Sequence, residues 1–409
     1  MKKVIVYSLL GLVFTGCSSK ESLKGERKDI VLSEIQKDAL DSTPVFIDRS
    51  TSVLGKDIRL LWQSDMKYGN SKSLRMVSSV AVGNGRVFSL DAGGLVYAFD
   101  VKTGNQLWRK TTTLKRKDGQ IGGAIAYGDG KVIVTSSFAE AFAFDEKDGK
   151  ILWRVKLPAC CKGDGVTISN GKVYMLCDNS SLQVLDICDG KFLWSHSGMM
   201  MDVTYVGSAG VVVQNDVVYL AYPSGEVFAL LSNGSVLWSA MLSKFSFTRS
   251  EDSFSHPRAC PVIKDNLIYF TGSNRQVTAF DISSGTVVWK KDFGGFESPL
   301  VSGNSLFVLN SSSELVCVNK DTGNVRWIHK LKSRDDEYNE WFGPIQSGED
   351  LLVLSSDGVL ARVSAADGSV KSYHRLGDFG QGITTRPVIF ENDLYFYTND
   401  GSVWAYKSR

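Results

Sequence analysis

Tryptophan falls at positions 62, 108, 153, 194, 238, 289 and 327, with Tyr373 in the next expected place. Neighbouring members stand between 38 and 51 residues apart (289 to 327, and 238 to 289). Most close a similar phrase. Ala98-Phe99-Asp100 leads through Gly104 to Trp108, Ala143-Phe144-Asp145 through Gly149 to Trp153, and Ala279-Phe280-Asp281 through Gly285 to Trp289. Weaker copies keep Asp186, Gly190 and Trp194, then Gly234 and Trp238, then Gly323 and Trp327. Upstream of the phrases lie further short runs that alternate apolar and polar residues, such as 77–82 and 86–90, split by turns such as Gly83-Asn84-Gly85. Four short strands in each repeat of about 40–50 residues is what a β-propeller blade requires.

Counting sets the number of blades. First strands begin near 77, 121, 164, 207, 257, 297, 343 and 384, and the aromatic-bearing fourth strands make another eight. The last block, 384–407, stops after three strands, while 58–64 is a fourth strand with no block before it. Residues 58–409 are therefore expected to form an all-β, eight-bladed propeller. The ring closes by pairing the N-terminal strand with the last three, which removes exposed sheet edges. Length alone suggests two or three domains, a prior that repeat folds break. The charge balance, 46 Lys and Arg against 44 Asp and Glu with no basic block, argues against nucleic-acid binding. After the N-terminus no run approaches the roughly 18 apolar residues that span a bilayer.

Met1-Lys2-Lys3 precedes a mostly apolar run, 4–14, and then Thr15-Gly16-Cys17. A basic start, a short apolar stretch and small residues describe a secretory signal, here 1–16. The ending resembles the lipobox of bacterial lipoproteins, with Phe14 where that family usually carries Leu. The resemblance implies acylation of Cys17, and Ser18 after it favours outer-membrane delivery. Several acyl segments at about 0.8 kcal/mol per buried CH₂ would hold the chain stably at the membrane. Residues 17–57 are polar and read as a tether, with a short structured piece around 44–47.

The Asp-Gly-Trp phrase resembles the tryptophan-docking motif of quinoprotein-like eight-bladed propellers. Its roles are structural: Asp accepts turn N–H groups, Gly supplies a positive φ, and the indole packs between blades with its N–H satisfied. Trp108, Trp153, Trp194, Trp238, Trp289 and Trp327 are assigned to docking; the alternative is that they stack on a ligand. Trp404 takes the place Tyr97 holds in the first blade, leaving Trp341 as a candidate surface residue.

Two families share the motif. One is the pyrroloquinoline-quinone dehydrogenases, towards which the adjacent Cys160-Cys161 pair points, because quinoprotein alcohol dehydrogenases carry an adjacent-cysteine disulfide against the cofactor. The other is the outer-membrane assembly factor BamB family, whose lipobox, tether and eight closed blades resemble the whole chain. Little sequence is left over for the insertions that build a Ca²⁺–quinone pocket. His196, His256, His329 and His374 are scattered, three of them just after a docking aromatic, and are read as strand-end surface residues. Without Cys17 six cysteines remain, and Cys177 with Cys188 makes a plausible pair flanking a hairpin, while Cys260 and Cys317 are equally consistent with buried thiols.

The BamB resemblance implies a non-catalytic scaffold without cofactor or metal. In that family the propeller binds the periplasmic POTRA domains of the barrel protein BamA through loops between the third, fourth and fifth blades. Carried over, the contacts fall near Asp202, Tyr205 and Val206, where Tyr205 replaces the family's Arg, and at Arg249, Glu251, Asp252 and Arg258, where His256 and Arg258 depart from its acidic pattern. Alternating strand direction puts all fourth-to-first links on one rim. The longest are expected at 239–257, with Phe245, Phe247 and Phe254 among charges, and at 331–341, with Tyr338 and Trp341. The alternatives left open are a periplasmic quinoprotein-like oxidoreductase and a propeller lipoprotein with another cell-envelope partner. Substituting Cys17→Ser is expected to abolish acyl labelling and release the protein from membranes; persistence of both would refute the lipid address.

Overall fold

The computed structural model describes residues 40–48, 54–55, 57–70, 78–112, 123–201, 209–242, 257, 259–272, 275–332 and 339–408. They contain thirty-two strands in eight antiparallel four-stranded sheets. In chain order the blades span 81–111, 125–156, 166–197, 212–241, 262–291, 300–330 and 341–375. The eighth joins Val388–Phe390, Asp393–Tyr397 and Ser402–Ser408 to Ile58–Asp65. The expected eight-bladed propeller is thus the observed fold, including closure by the two ends: Trp62 pairs Ala405 and Asp65 pairs Ser402.

Each blade follows from its pattern. The second and third strands are buried through most of their length, as in Val87 to Leu90 and Val96 to Phe99, because neighbouring blades cover both their faces. The outer strands alternate more openly, and Gln106–Thr111 buries only Trp108. First-to-second and third-to-fourth turns lie on one side of the ring, here the turn face. Second-to-third turns and the links between blades lie on the other, the link face.

Docking crosses the blade boundaries on the turn face. The indole N–H groups of Trp62, Trp108, Trp153, Trp194, Trp238, Trp289 and Trp327 donate to Val101, Glu146, Ile187, Ser232, Ile282, Lys320 and Ala365 carbonyls at 2.8–3.1 Å. Each acceptor sits in the third-to-fourth turn of the following blade. There the turn glycine lies flat under the indole. A Cβ on Gly285, at φ 69°, would stand 2.5 Å from the Trp238 ring. The turn aspartates accept amides as expected, Asp100 from Lys102 and Thr103 and Asp186 from Cys188.

Tyr373 has no such turn ahead of it, because the strands that would flank it in blade 8 are the two chain ends. It is exposed, and its hydroxyl accepts the Lys332 amide at 3.4 Å. The stretch before the first strand occupies this side of blades 6 and 7 instead. Asp41 N–H donates to the Val325 carbonyl, and Phe46 exchanges bonds with Asn304 through its amide and its carbonyl. Asp48 pairs with Lys264 at 2.8 Å. Leu54 is fully buried, and Arg362 donates to the Leu54 and Gly55 carbonyls at 2.7 and 2.6 Å. The structured piece expected around 44–47 is therefore a strap along the blades.

Trp341, expected at the surface, is buried. It opens the first strand of blade 7, pairs with Ser355 and packs with Leu309, Leu331 and Leu351. His374 is exposed, but His196 and His329 are half-buried, and desolvation lowers both from their usual pKa.

The closing seam carries one buried carboxyl. Asp91 has no exposed surface; it accepts the Gly93 and Leu95 amides and the Tyr97 hydroxyl, beside the link that crosses from blade 8. Desolvation outweighs those bonds and raises it to about 6. A raised carboxyl binds its proton more tightly folded than unfolded. Its contribution is therefore full below about pH 4 and is lost as pH rises through about 6.

Two outcomes follow for denaturant unfolding. Trp289→Ala is expected to cost about 3–5 kcal/mol, whereas Tyr373→Ala costs under about 1 kcal/mol; equal losses would deny that the eighth junction lacks docking. Asp91→Asn is expected to flatten a fall in stability of up to about 3 kcal/mol between pH 4 and 7, and an unchanged pH slope would show that Asp91 is not its source.

Candidate partner-binding face

The link face carries the connections between blades. Its longest link, 242–261, joins blades 4 and 5 as expected from sequence. The other expected long link is shorter, 331–340, because Trp341 already belongs to a strand; links 66–80 and 198–211 exceed it. Asp202, Tyr205, Val206, Arg249, Glu251, Asp252 and Arg258 lie outside the described residues, as do His256 and the aromatics at 245, 247 and 254.

The described residues around those links are apolar and prominent. Met199 and Met200 leave the end of blade 3 at 49% and 75% exposed, and Met241 ends blade 4 at 40%. Phe138, in the second-to-third turn of blade 2, and Phe296, in the link from blade 5 to blade 6, stand out on the same face. None of these was singled out in the sequence, although Met199-Met200-Met201 directly precedes the 202–208 segment. The base of this segment is fixed. The Met199 amide donates to Glu226 at 2.5 Å, and His196 packs edge-on against Phe228 with its Nδ1 2.9 Å from the Tyr222 hydroxyl.

At the centre of the face the first strands surround a mouth of about 250 Å³, lined by Asp164, Glu297, Trp341, Phe342 and Arg386 among others. Bonds run between blades around the axis. Gly210 N–H donates to Cys260 Sγ at 3.1 Å, Cys260 N–H to Ser298 at 2.9 Å, and Gly343 N–H to Glu297 at 3.1 Å. Arg386 stands 4.0 Å from the same Glu297 oxygen. Burial pushes the Cys260 thiol up to about 11, so at neutral pH it is a protonated packing group.

The cysteines correct the sequence reading. Cys161 is bonded to Cys177, so neither Cys160-Cys161 nor Cys177-Cys188 is the pair. Cys177 ends its strand at the link face, whereas Cys188 lies in a turn on the opposite side, about a strand length away. Cys160 and Cys188 are free, as are Cys260 and Cys317. A quinone held against an adjacent-cysteine bond does not fit this arrangement. Among the described residues no group of three or more His, Cys, Asp or Glu converges to hold a metal ion.

Comparison with known proteins gives a consistent picture. The family model described as outer membrane protein assembly factor BamB matches residues 53–118 and 92–329. An uncharacterised protein of Rickettsia prowazekii (strain Madrid E) is 23% identical over 339 residues, 81% of this chain and 79% of that protein. Outer membrane protein assembly factor BamB of Nitrosomonas eutropha is 25% identical over 308 residues, 75% of this chain and 71% of its own. The crystal structure of BamB from Moraxella catarrhalis superposes with a TM-score of 0.73 at 18% identity, covering 86% of this chain and all of that one. A europium-containing methanol dehydrogenase superposes with a TM-score of 0.67 at 12% identity, covering 87% and 95%. At these identities the likeness to the solved structures is one of fold.

Proposed function

Because this chain belongs to the family of the outer membrane protein assembly factor BamB, we propose that it is a non-catalytic scaffold, held at the periplasmic face of the outer membrane by an acylated Cys17. In this reading it serves assembly and insertion of β-barrel outer-membrane proteins by binding the periplasmic domains of a BamA-like protein. The observation that carries the reading is the asymmetry of the ring. Docking turns and the N-terminal strap occupy one face, and the blade links occupy the other.

Met199, Met200 and Met241 are suited to a protein contact, since unbranched thioethers adapt to an irregular partner surface. In this reading the link sequences add polar contacts through Asp202, Tyr205, Arg249, Glu251, Asp252 and Arg258, with Val206 apolar among them. Tyr205 in place of the family's Arg makes this contact less dependent on charge. The strap reaches Asp41 at the outer strand of blade 6, on the turn side.

Purification of the tagged chain from gently solubilised envelopes is expected to recover a BamA-like barrel protein. Changing Tyr205 and Asp252 together to Ala, or Met200→Glu, is expected to weaken recovery at least about tenfold, or ~1.4 kcal/mol. Undiminished recovery would move the site off this face. Recovery of no barrel-assembly component, with quinone-dependent dye reduction by the purified protein, would replace the scaffold by an oxidoreductase.

A further inference from the structure

Three cysteines meet where the link into blade 3 passes the end of that blade's second strand. The Cys161–Cys177 bond is buried, its residues 0% and 1% exposed. Cys160, next in sequence, is a part-exposed free thiol whose Sγ donates to the Ser137 carbonyl at 3.1 Å. Asp178 N–H donates to the Cys160 carbonyl at 2.8 Å, so residue 160 lies directly alongside the peptide that follows Cys177. The segment carrying Cys160 and Cys161 belongs to no strand, and Gly163 and Gly165 follow it. The remaining free cysteines do not share this place: Cys188 lies in the turn on the opposite face, Cys260 at the channel wall and Cys317 inside blade 6.

We propose that Cys160, Cys161 and Cys177 form a thiol–disulfide exchange site, with Cys160 as the attacking thiol and an external dithiol as co-reactant. In the first step Cys160, its proton lost to solvent, attacks Cys177 Sγ. The Cys161–Cys177 bond breaks, a Cys160–Cys177 bond forms, and Cys161 leaves as a thiolate that takes up a proton. One disulfide replaces another, so no oxidant or reductant is consumed. The new bond includes a part-exposed sulfur where the old one has none. In the second step a dithiol attacks Cys160 Sγ and expels Cys177 as a thiol. The dithiol's second sulfur then resolves the mixed disulfide, so that its two electrons reduce the bond and it departs oxidised. Burial blocks direct attack on Cys161 or Cys177, and the route through Cys160 is what opens the bond to solution.

The exchange reaches the link face. Cys161 is held a second way, its carbonyl accepting the Thr135 hydroxyl at 2.6 Å, and Gly163 and Asp164 just beyond it line the central mouth. Releasing Cys161 from Cys177 removes one of the bonds that hold the segment lining that mouth, beside the Thr135 hydrogen bond and the Lys162–Asp178 ion pair.

The test uses the full-length chain with dithiothreitol as the dithiol and peptide mapping under non-reducing conditions. Incubation at mildly alkaline pH with a trace of thiol is expected to yield a Cys160–Cys177 peptide beside the Cys161–Cys177 one. Cys160→Ser is expected to keep the Cys161–Cys177 bond and the melting temperature while slowing its reduction at least about tenfold. Cys161→Ser, oxidised with glutathione disulfide, is expected to form Cys160–Cys177. Finding only Cys161–Cys177 in the wild type, with Cys160→Ser reduced at the wild-type rate, overturns the proposal. So does a folded Cys161→Ser protein that keeps Cys160 and Cys177 from pairing under glutathione disulfide. A Cys160→Ser protein that does not fold leaves the wild-type peptide map to decide.

Discussion

The indole resting on a neighbour's turn glycine is the contact on which the ring depends. One side chain performs two tasks there: its face fills the space between two blades, and its N–H satisfies a turn carbonyl that the sheet cannot reach. The glycine is obligatory from both directions. Gly104 adopts φ 71°, and a Cβ on it would stand 2.5 Å from the Trp62 ring. The phrase that looks local in sequence therefore works between repeats. In Asp100-Gly104-Trp108 the Gly receives Trp62 from the blade before, while Trp108 reaches forward to the Glu146 carbonyl. The spacing of the tryptophans is the register of this relay.

A relay of this kind needs a turn ahead of every indole, and a ring closed by its own ends lacks one. Blade 8 is completed by the N-terminal strand, so no third-to-fourth turn connects its outer pair. The substitution of Tyr373 at the eighth place is the sequence's record of that gap. The chain compensates with backbone: Leu54 buried against blade 7, its carbonyl and that of Gly55 held by Arg362, and residues 41–48 bonded across blade 6. Closure is thus secured by three devices of different kinds: a seven-pair strand register, the strap, and the link at Asn70 bonded to Asn399.

The fold was legible because its signal repeats. Seven tryptophans, their glycines and alternating runs all gave the same period, and the orphan strand at 58–64 told how the ring closes. Features set by one neighbour were not legible. Trp341 carried no phrase, and its burial comes from a strand that begins earlier than turn residues indicated. Cys177 and Cys188 are close in sequence but separated by the direction of a strand, whereas Cys161 meets Cys177 only because the link from blade 2 returns past the same strand end. That the blade links share one face was legible from strand direction. The described apolar residues of that face, Phe138, Met199, Met200, Met241 and Phe296, were not, because single exposed apolar residues have no period to betray them.

This division has a physical cause. On the turn face nearly every polar group is committed: aspartates to turn amides, carbonyls to indoles, glycines to the space under them, so a substitution there is felt by two blades. On the link face the blade imposes only that the chain travel from an outer strand to the next inner one, which many lengths and sequences satisfy. Substitutions in those links are expected to disturb the ring less than substitutions at the docking turns. Departures such as Tyr205 and Arg258 fall in links, while the Gly and Trp places hold from one blade to the next until the eighth, where the geometry releases them. On the proposed reading, stiffness and recognition sit on opposite sides of one ring.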